Sequence, residues 1–163
     1  MKNNFNTKEI LIYTDGSCHT QKRMGAWVAI LLYGQEEIIL QGNETNTTHN
    51  RMELMAVIKA IEYVSDNMNG DIVMQIFTDS QYVMGLPERA GKLAADNFIT
   101  KKGKDLQNSD LLKILFQLFA SHIIHLNKIK AHQKKDDTIN YNITADKLSR
   151  SMIRAIDNEI MDN

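Results

Sequence analysis

A chain of 163 residues, 43% of them hydrophobic, can build one domain around one core. Its net charge of −1 argues against gripping polyanions by bulk charge, its one cysteine excludes an internal disulfide, and no apolar run reaches the length of a membrane span. Met1-Lys2-Asn3-Asn4 lacks a signal-peptide core, so a soluble, cytoplasmic protein is expected, a single domain over residues 1–163 with the polar residues 1–7 frayed.

Ile10-Leu11-Ile12-Tyr13-Thr14-Asp15-Gly16-Ser17 reads as a buried central strand that runs into a carboxylate and a turn. That places Asp15 at the strand's C-terminal mouth, where an acid is costly unless water, a donor or a cation receives it. A polar turn, Cys18 to Met24, leads to an apolar strand from Gly25 to Tyr33. Gly34-Gln35 turns the chain into a hairpin partner over Glu36–Gln41, and Gly42–Thr48 reads as a loop. The first forty residues are thus expected to form a three-stranded antiparallel meander.

Helical composition runs from Arg51 to Met68 and stops at Asn69-Gly70. Lys59, Glu62, Ser65 and Asp66 mark its wet side; Leu54, Val57, Ile58, Ala60, Ile61 and Val64 mark its apolar side, which Glu53 borders. Ile72–Phe77 is a second apolar strand ending in Thr-Asp, at Thr78-Asp79, and Ser80–Met84 a helical turn. Glu88–Asn97 reads as a helix followed by a lysine-rich loop, and Ser109-Asp110 as the N-cap of a helix over Leu111–Ala120. Ile123–Ala131 is the fifth strand and His132–Asn142 a polar loop. A last helix opens at Asn142 or Thr144 and runs to about Met161, with the stripe Ala145, Leu148, Met152, Ile156 and Ile160. This order fits an α/β (α+β) fold, a mixed sheet covered by helices.

Taken singly, each acid has a structural reading. Asp15 is a turn former and Glu53 a capping-box partner of Asn50; Asp79 caps a turn, and Asp146 complements a helix dipole. Taken together they sit at strand ends and helix starts, where ligand sites of α/β sheets form. Four acids converging without cations would raise each other's pKa values, and two divalent ions would relieve that with oxygen ligands of the kind Mg²⁺ takes. No Cys/His spacing suggests zinc.

Four strings, Tyr13-Thr14-Asp15-Gly16-Ser17-Cys18, Asn50-Arg51-Met52-Glu53-Leu54-Met55-Ala56, Phe77-Thr78-Asp79-Ser80-Gln81-Tyr82-Val83 and Asn142-Ile143-Thr144-Ala145-Asp146-Lys147-Leu148, resemble those of type 1 ribonuclease H in order and spacing. The resemblance covers almost the whole chain. It implies an RNase H-like fold, a five-stranded mixed sheet with helices on both faces. The implied activity is endonucleolytic hydrolysis of the RNA strand of RNA–DNA hybrids by a two-metal-ion mechanism, leaving 5′-phosphate and 3′-hydroxyl ends. By resemblance the metal ligands are Asp15, Glu53, Asp79 and Asp146, holding two Mg²⁺ ions with Mn²⁺ as the alternative, and Asp15 bridges them. His132 completes the catalytic set as a proton relay or an aid to product release. The hybrid is read by Gly16, Ser17, Cys18, His49, Asn50 and Gln81.

Three stretches depart from the family pattern. His19-Thr20-Gln21-Lys22-Arg23-Met24 replaces a Gly/Pro-rich turn, residues 85–108 are shorter than a common basic protrusion and lack tryptophan, and the loop from His132 to Asp146 is longer. Between residues 101 and 135 eight lysines stand against two aspartates. Such a run reads by default as solvated surface, but beside this motif set Lys101, Lys102 and Lys104 become candidate phosphate contacts. No obligatory protein partner and no membrane is implied, and a monomer is expected. The competing readings are a hybrid-binding protein of the same fold that does not cut, and a DNA-cutting nuclease of the RNase H-like superfamily.

Overall fold

The computed structural model describes residues 8–129 and 140–161. In chain order the elements are β1 (Lys8–His19), β2 (Met24–Tyr33), β3 (Glu36–Thr45), α1 (His49–Asn67), β4 (Ile72–Thr78), α2 (Gln81–Met84), α3 (Leu86–Ala95), α4 (Ser109–Ser121), β5 (Ile123–Lys128) and α5 (Tyr141–Met161). The strands form one mixed sheet in the order β3-β2-β1-β4-β5. The first three are antiparallel, whereas β4 joins β1, and β5 joins β4, in parallel. The expected mixed five-stranded sheet is present, with helices on both of its faces.

Alternation along the strands sorts side chains between the two faces. Ile10, Ile12, Ala29, Leu31, Met74 and Ile76 form one continuous core with Leu54, Val57, Ile58 and Ile61 of α1 and with Leu111, Leu112 and Leu115 of α4. Val28 and Ile30 point the other way and pack on Ala145 of α5, with Tyr13, Leu148 and Met152 around them. Each fully buried aliphatic side chain contributes roughly 1.5–3 kcal/mol, so the α1 face carries most of the apolar stabilisation. No helix among the described residues is long and apolar enough to cross a membrane.

Two strands run further than their sequences suggest. β1 does not stop at Asp15: Asp15 pairs with Val28, and the ladder with β2 continues to His19 opposite Met24. On its other edge β1 pairs with β4 only as far as Tyr13 opposite Phe77. Asp15 therefore lies just beyond the point where β1 and β4 part, and the site opens in that gap rather than at a strand end. β3 likewise continues through Gly42-Asn43-Glu44-Thr45, expected as loop, because Gly42 lies opposite Trp27. A Cβ on Gly42 would stand 2.7 Å from the indole ring, so the residue that looks like a loop marker makes room for the tryptophan.

The helix starts differ in their caps. Thr48, not Asn50, caps α1, its hydroxyl accepting from the Arg51 N–H at 3.3 Å, which leaves Glu53 without a capping role. Asn108 precedes α4 in a left-handed conformation without a side-chain cap bond, and Asp110 instead takes a bidentate bond from Arg51 at 3.0 and 2.9 Å. Arg51 also reaches Glu44 at 3.2 Å, tying β3, α1 and α4 together. α3 begins at Leu86, earlier than expected, with Pro87 in its first turn where a missing N–H costs nothing. In α5 the inward face is Asn142, Ala145, Ser149 and Ile153; Ile160, placed in the apolar stripe by its spacing, is 55% exposed. β5 ends at Lys128, and residues 130–131 of the expected strand lie outside the described residues, as do residues 1–7.

Candidate metal centre

Asp15, Glu53 and Asp79 each bring a carboxylate oxygen to within 4.8 Å of the others'. Three elements deliver them. Asp15 comes from the continuation of β1, Asp79 from the residue after β4, and Glu53 from the second turn of α1. The close approach of α1 depends on Gly16, where a Cβ would lie 2.5 Å from the Glu53 backbone nitrogen and 2.7 Å from the Met52 carbonyl carbon. The glycine thus permits the contact that brings Glu53 to Asp15.

Burial makes Asp15 and Glu53 expensive as anions. The Asp15 carboxyl is pushed up to about 7, first by burial and then by the charges of Glu53, Asp146 and Asp79, while a hydrogen bond from Ser149 opposes the rise. Burial likewise raises Glu53, against the lowering effect of His49 and of a backbone N–H donated by Gly16. His49 Nε2 lies 3.2 Å from Glu53 Oε1, and that bond holds the imidazole above its usual range. The other oxygen, Glu53 Oε2, is buried with no hydrogen-bond partner. Buried carboxylate oxygens rarely go unpartnered, and an orphan beside two other acids fits a ligand for a hard cation. The donor set is oxygen only, which suits Mg²⁺ or Mn²⁺ and not zinc.

Asp146 lines the same cleft, of about 490 Å³, but stands apart from the three-acid group: Arg150, one turn on, donates to its Oδ1 at 2.7 Å. Gly16, Ser17, Cys18 and His49 also line the cleft. The Cys18 thiol is half-buried, directed at the Thr47 carbonyl oxygen at 3.7 Å and raised in pKa by burial. Asn50 and Gln81 are exposed in the first turns of α1 and α2 and do not line the cleft. Lys101, Lys102 and Lys104 are exposed on a short loop closed by a bridge between Ile99 and Asp105, away from the acids. His132 lies outside the described residues. A larger cleft beside β5, about 700 Å³, includes Glu88 and His125 but no converging set of acids.

Sequence patterns alone do not single out His19, Ser149, Arg150, Ile153 and Arg154, which also line or support the cleft. The last four stand on α5, and Asp146, Ser149, Arg150 and Ile153 follow the spacing i, i+3, i+4, i+7. Projecting that helix from Asp146 would have placed them on the cleft side.

A mixed sheet flanked by helices, with acids gathered where its two central parallel strands part, defines a carboxylate-site nuclease of the RNase H-like fold. The comparisons narrow this. The RNase H family profile matches residues 7–154. Ribonuclease H of Caldicellulosiruptor saccharolyticus is 34% identical over 149 residues, covering 90% of this chain and 97% of that protein. Ribonuclease HI of Caulobacter vibrioides is 39% identical over 127 residues, covering 77% of this chain and 83% of its own. Among solved structures, LC9-RNase H1, described as a type 1 RNase H with the type 2 active-site motif, superposes with a TM-score of 0.75 at 21% identity, covering 89% of this chain and 72% of that one. The solution structure of the PFV RNase H domain gives 0.66 at 23% identity, covering 89% and 94%. The chain belongs to the ribonuclease H family.

Proposed function

We propose that this ribonuclease H hydrolyses the RNA strand of RNA–DNA hybrids at the Asp15–Glu53–Asp79 cluster, with Asp146 completing the ligand set for two divalent ions, Mg²⁺ or Mn²⁺. The observation that carries the reading is the convergence of three carboxylates within 4.8 Å, one of them with a buried, partnerless oxygen. When bound, two ions would supply an activated water and charge stabilisation at the leaving oxygen, giving 5′-phosphate and 3′-hydroxyl ends.

The side chains prepare that chemistry. Asp15 feels the charge of each of the other three acids and would hold the cations together with them. His49 occupies Glu53 Oε1 and so leaves Oε2 for ligation. Arg150 donates to Asp146 Oδ1 and orients it, and has to yield it for ligation. Ser17, Cys18 and the Gly16 backbone form a wall of the cleft suited to a ribose edge, and a 2′-hydroxyl there is what tells RNA from DNA. Asn50 and Gln81, at helix starts beyond that wall, are assigned to the flanking minor groove, and Lys101, Lys102 and Lys104 to phosphates further along the duplex. His132 is assigned the proton relay or the aid to product release on its sequence context. The reading takes residues 1–163 as a single domain acting as a cytoplasmic monomer.

The test is cleavage of a hybrid labelled on either strand, beside DNA and RNA duplexes of the same sequence. Cutting confined to the RNA strand of the hybrid, dependent on Mg²⁺ or Mn²⁺ and abolished in Asp79→Asn with hybrid binding retained, is expected. Cutting of duplex DNA, or near-wild-type rates for Asp79→Asn in saturating Mg²⁺, would overturn it.

A further inference from the structure

We propose that Ser149 is a positioning residue for Asp15, fixing one carboxylate oxygen so that the other is presented to the cation. The inference rests on the metal-site reading above. Ser149 has no exposed surface, although it sits on α5 only three residues after Asp146. Its Oγ lies 2.5 Å from Asp15 Oδ2, 2.6 Å from Ser17 Oγ and 3.1 Å from the Asp146 carbonyl oxygen. A hydroxyl has one proton to give. The shorter of the two acceptor contacts, and the one to a charge, takes it, and Ser17 completes the chain by donating to Ser149.

A serine inside a helix ordinarily bonds back to a carbonyl three or four residues earlier. Here that bond is the longer one, and the hydroxyl leans out of its helix toward β1. β4 no longer pairs with β1 at this point, so Asp15 lies at the open gap between the strands, and its carboxylate takes a side-chain hydrogen bond from Ser149. One helix therefore sets both the orientation of Asp15 and the location of Asp146. A residue that orients a metal-ligating carboxylate typically matters by about 10- to 100-fold in metal affinity or activity.

The experiment measures Mn²⁺ affinity of the intact protein without substrate, by electron paramagnetic resonance at fixed pH. The variants are Ser149→Ala, Ser149→Cys, Asp15→Asn, Asp79→Asn and the double variant Ser149→Ala/Asp15→Asn, each checked for folding by thermal melt. Ser149→Ala is expected to weaken Mn²⁺ binding by about 10- to 100-fold, and Ser149→Cys, a weaker donor of similar size, by an intermediate factor. Cleavage by either should recover at high metal concentration with KM for the hybrid unchanged. In the Asp15→Asn background the serine change should add nothing, since its effect passes through Asp15. Unchanged Mn²⁺ affinity in both serine variants while Asp79→Asn loses binding would overturn the role of Ser149 alone, as would an equal loss in the Asp15→Asn background. Unchanged affinity in Asp79→Asn as well would overturn the metal site, and this proposal with it.

Discussion

The Asp15 carboxyl is held where its charge is least favourable, and this has a consequence for stability. Its pKa is about 7 in the folded protein, against about 3.9 in an unfolded chain. Between those values the folded state holds a proton that the unfolded state has lost. Metal-free stability should therefore fall as pH rises from about 4 to about 7, by up to about 4 kcal/mol from this group, and level off above that. Burial raises Glu53 in the same sense. Asp15→Asn removes this group's share of the cost. In chelator, its melting temperature should exceed that of the wild type at pH 8 and match it near pH 4, and Mg²⁺ should stabilise only the wild type. Identical pH profiles for the two proteins would contradict this. Such a cost is the expected mark of a site built for a cation rather than for stability.

At the scale of elements, the acid site depends on the approach of α1 to β1 over Gly16. Gly16→Ala would force a methyl against the Glu53 and Met52 backbone, which cannot move as a side-chain tip can. A loss of about 1–3 kcal/mol is expected from such overpacking, with a larger loss of kcat than of hybrid binding because Glu53 is displaced. Denaturant melts and steady-state kinetics check both, and a variant with wild-type kcat would show that the helix start does not set the acid geometry. The loop after α3 is proposed to bear on substrate instead. Replacing Lys101, Lys102 and Lys104 by alanine should raise KM and leave kcat nearly unchanged. The salt dependence of binding should flatten by about one unit for each phosphate no longer neutralised. An unchanged salt slope would return these lysines to a solvated surface.

These same elements show what the sequence could reveal. Apolar periodicity located the strands and principal helices because period and burial are local signals. The ends of β1 and β3 were not legible, since Asp15-Gly16-Ser17 and Gly42-Asn43-Glu44 look like turns until the partner strand and Trp27 are in place. Arg51 looked like a motif residue, yet it bonds Asp110, fifty-nine positions away, and no local pattern reports such a pair. The three converging acids were readable because four strings recur together. Ser149 was not, because its meaning lies in an interaction with a residue 134 positions earlier.

For the whole molecule, the sheet order β3-β2-β1-β4-β5 sets the site's location. It brings two Thr-Asp strands side by side in parallel, lays α1 across one face and α5 across the other, and leaves the acids at their common edge. In the proposed reading the protein is a scaffold for charge repulsion that bound cations would relieve. Anomalous diffraction at the manganese edge, from crystals of the protein grown with Mn²⁺ and an RNA–DNA hybrid, tests that claim most directly. The account predicts anomalous density within ligand distance of Asp15, Glu53 and Asp79, with a second peak shared by Asp15 and Asp146. Bound hybrid with no anomalous density at these four acids would contradict it.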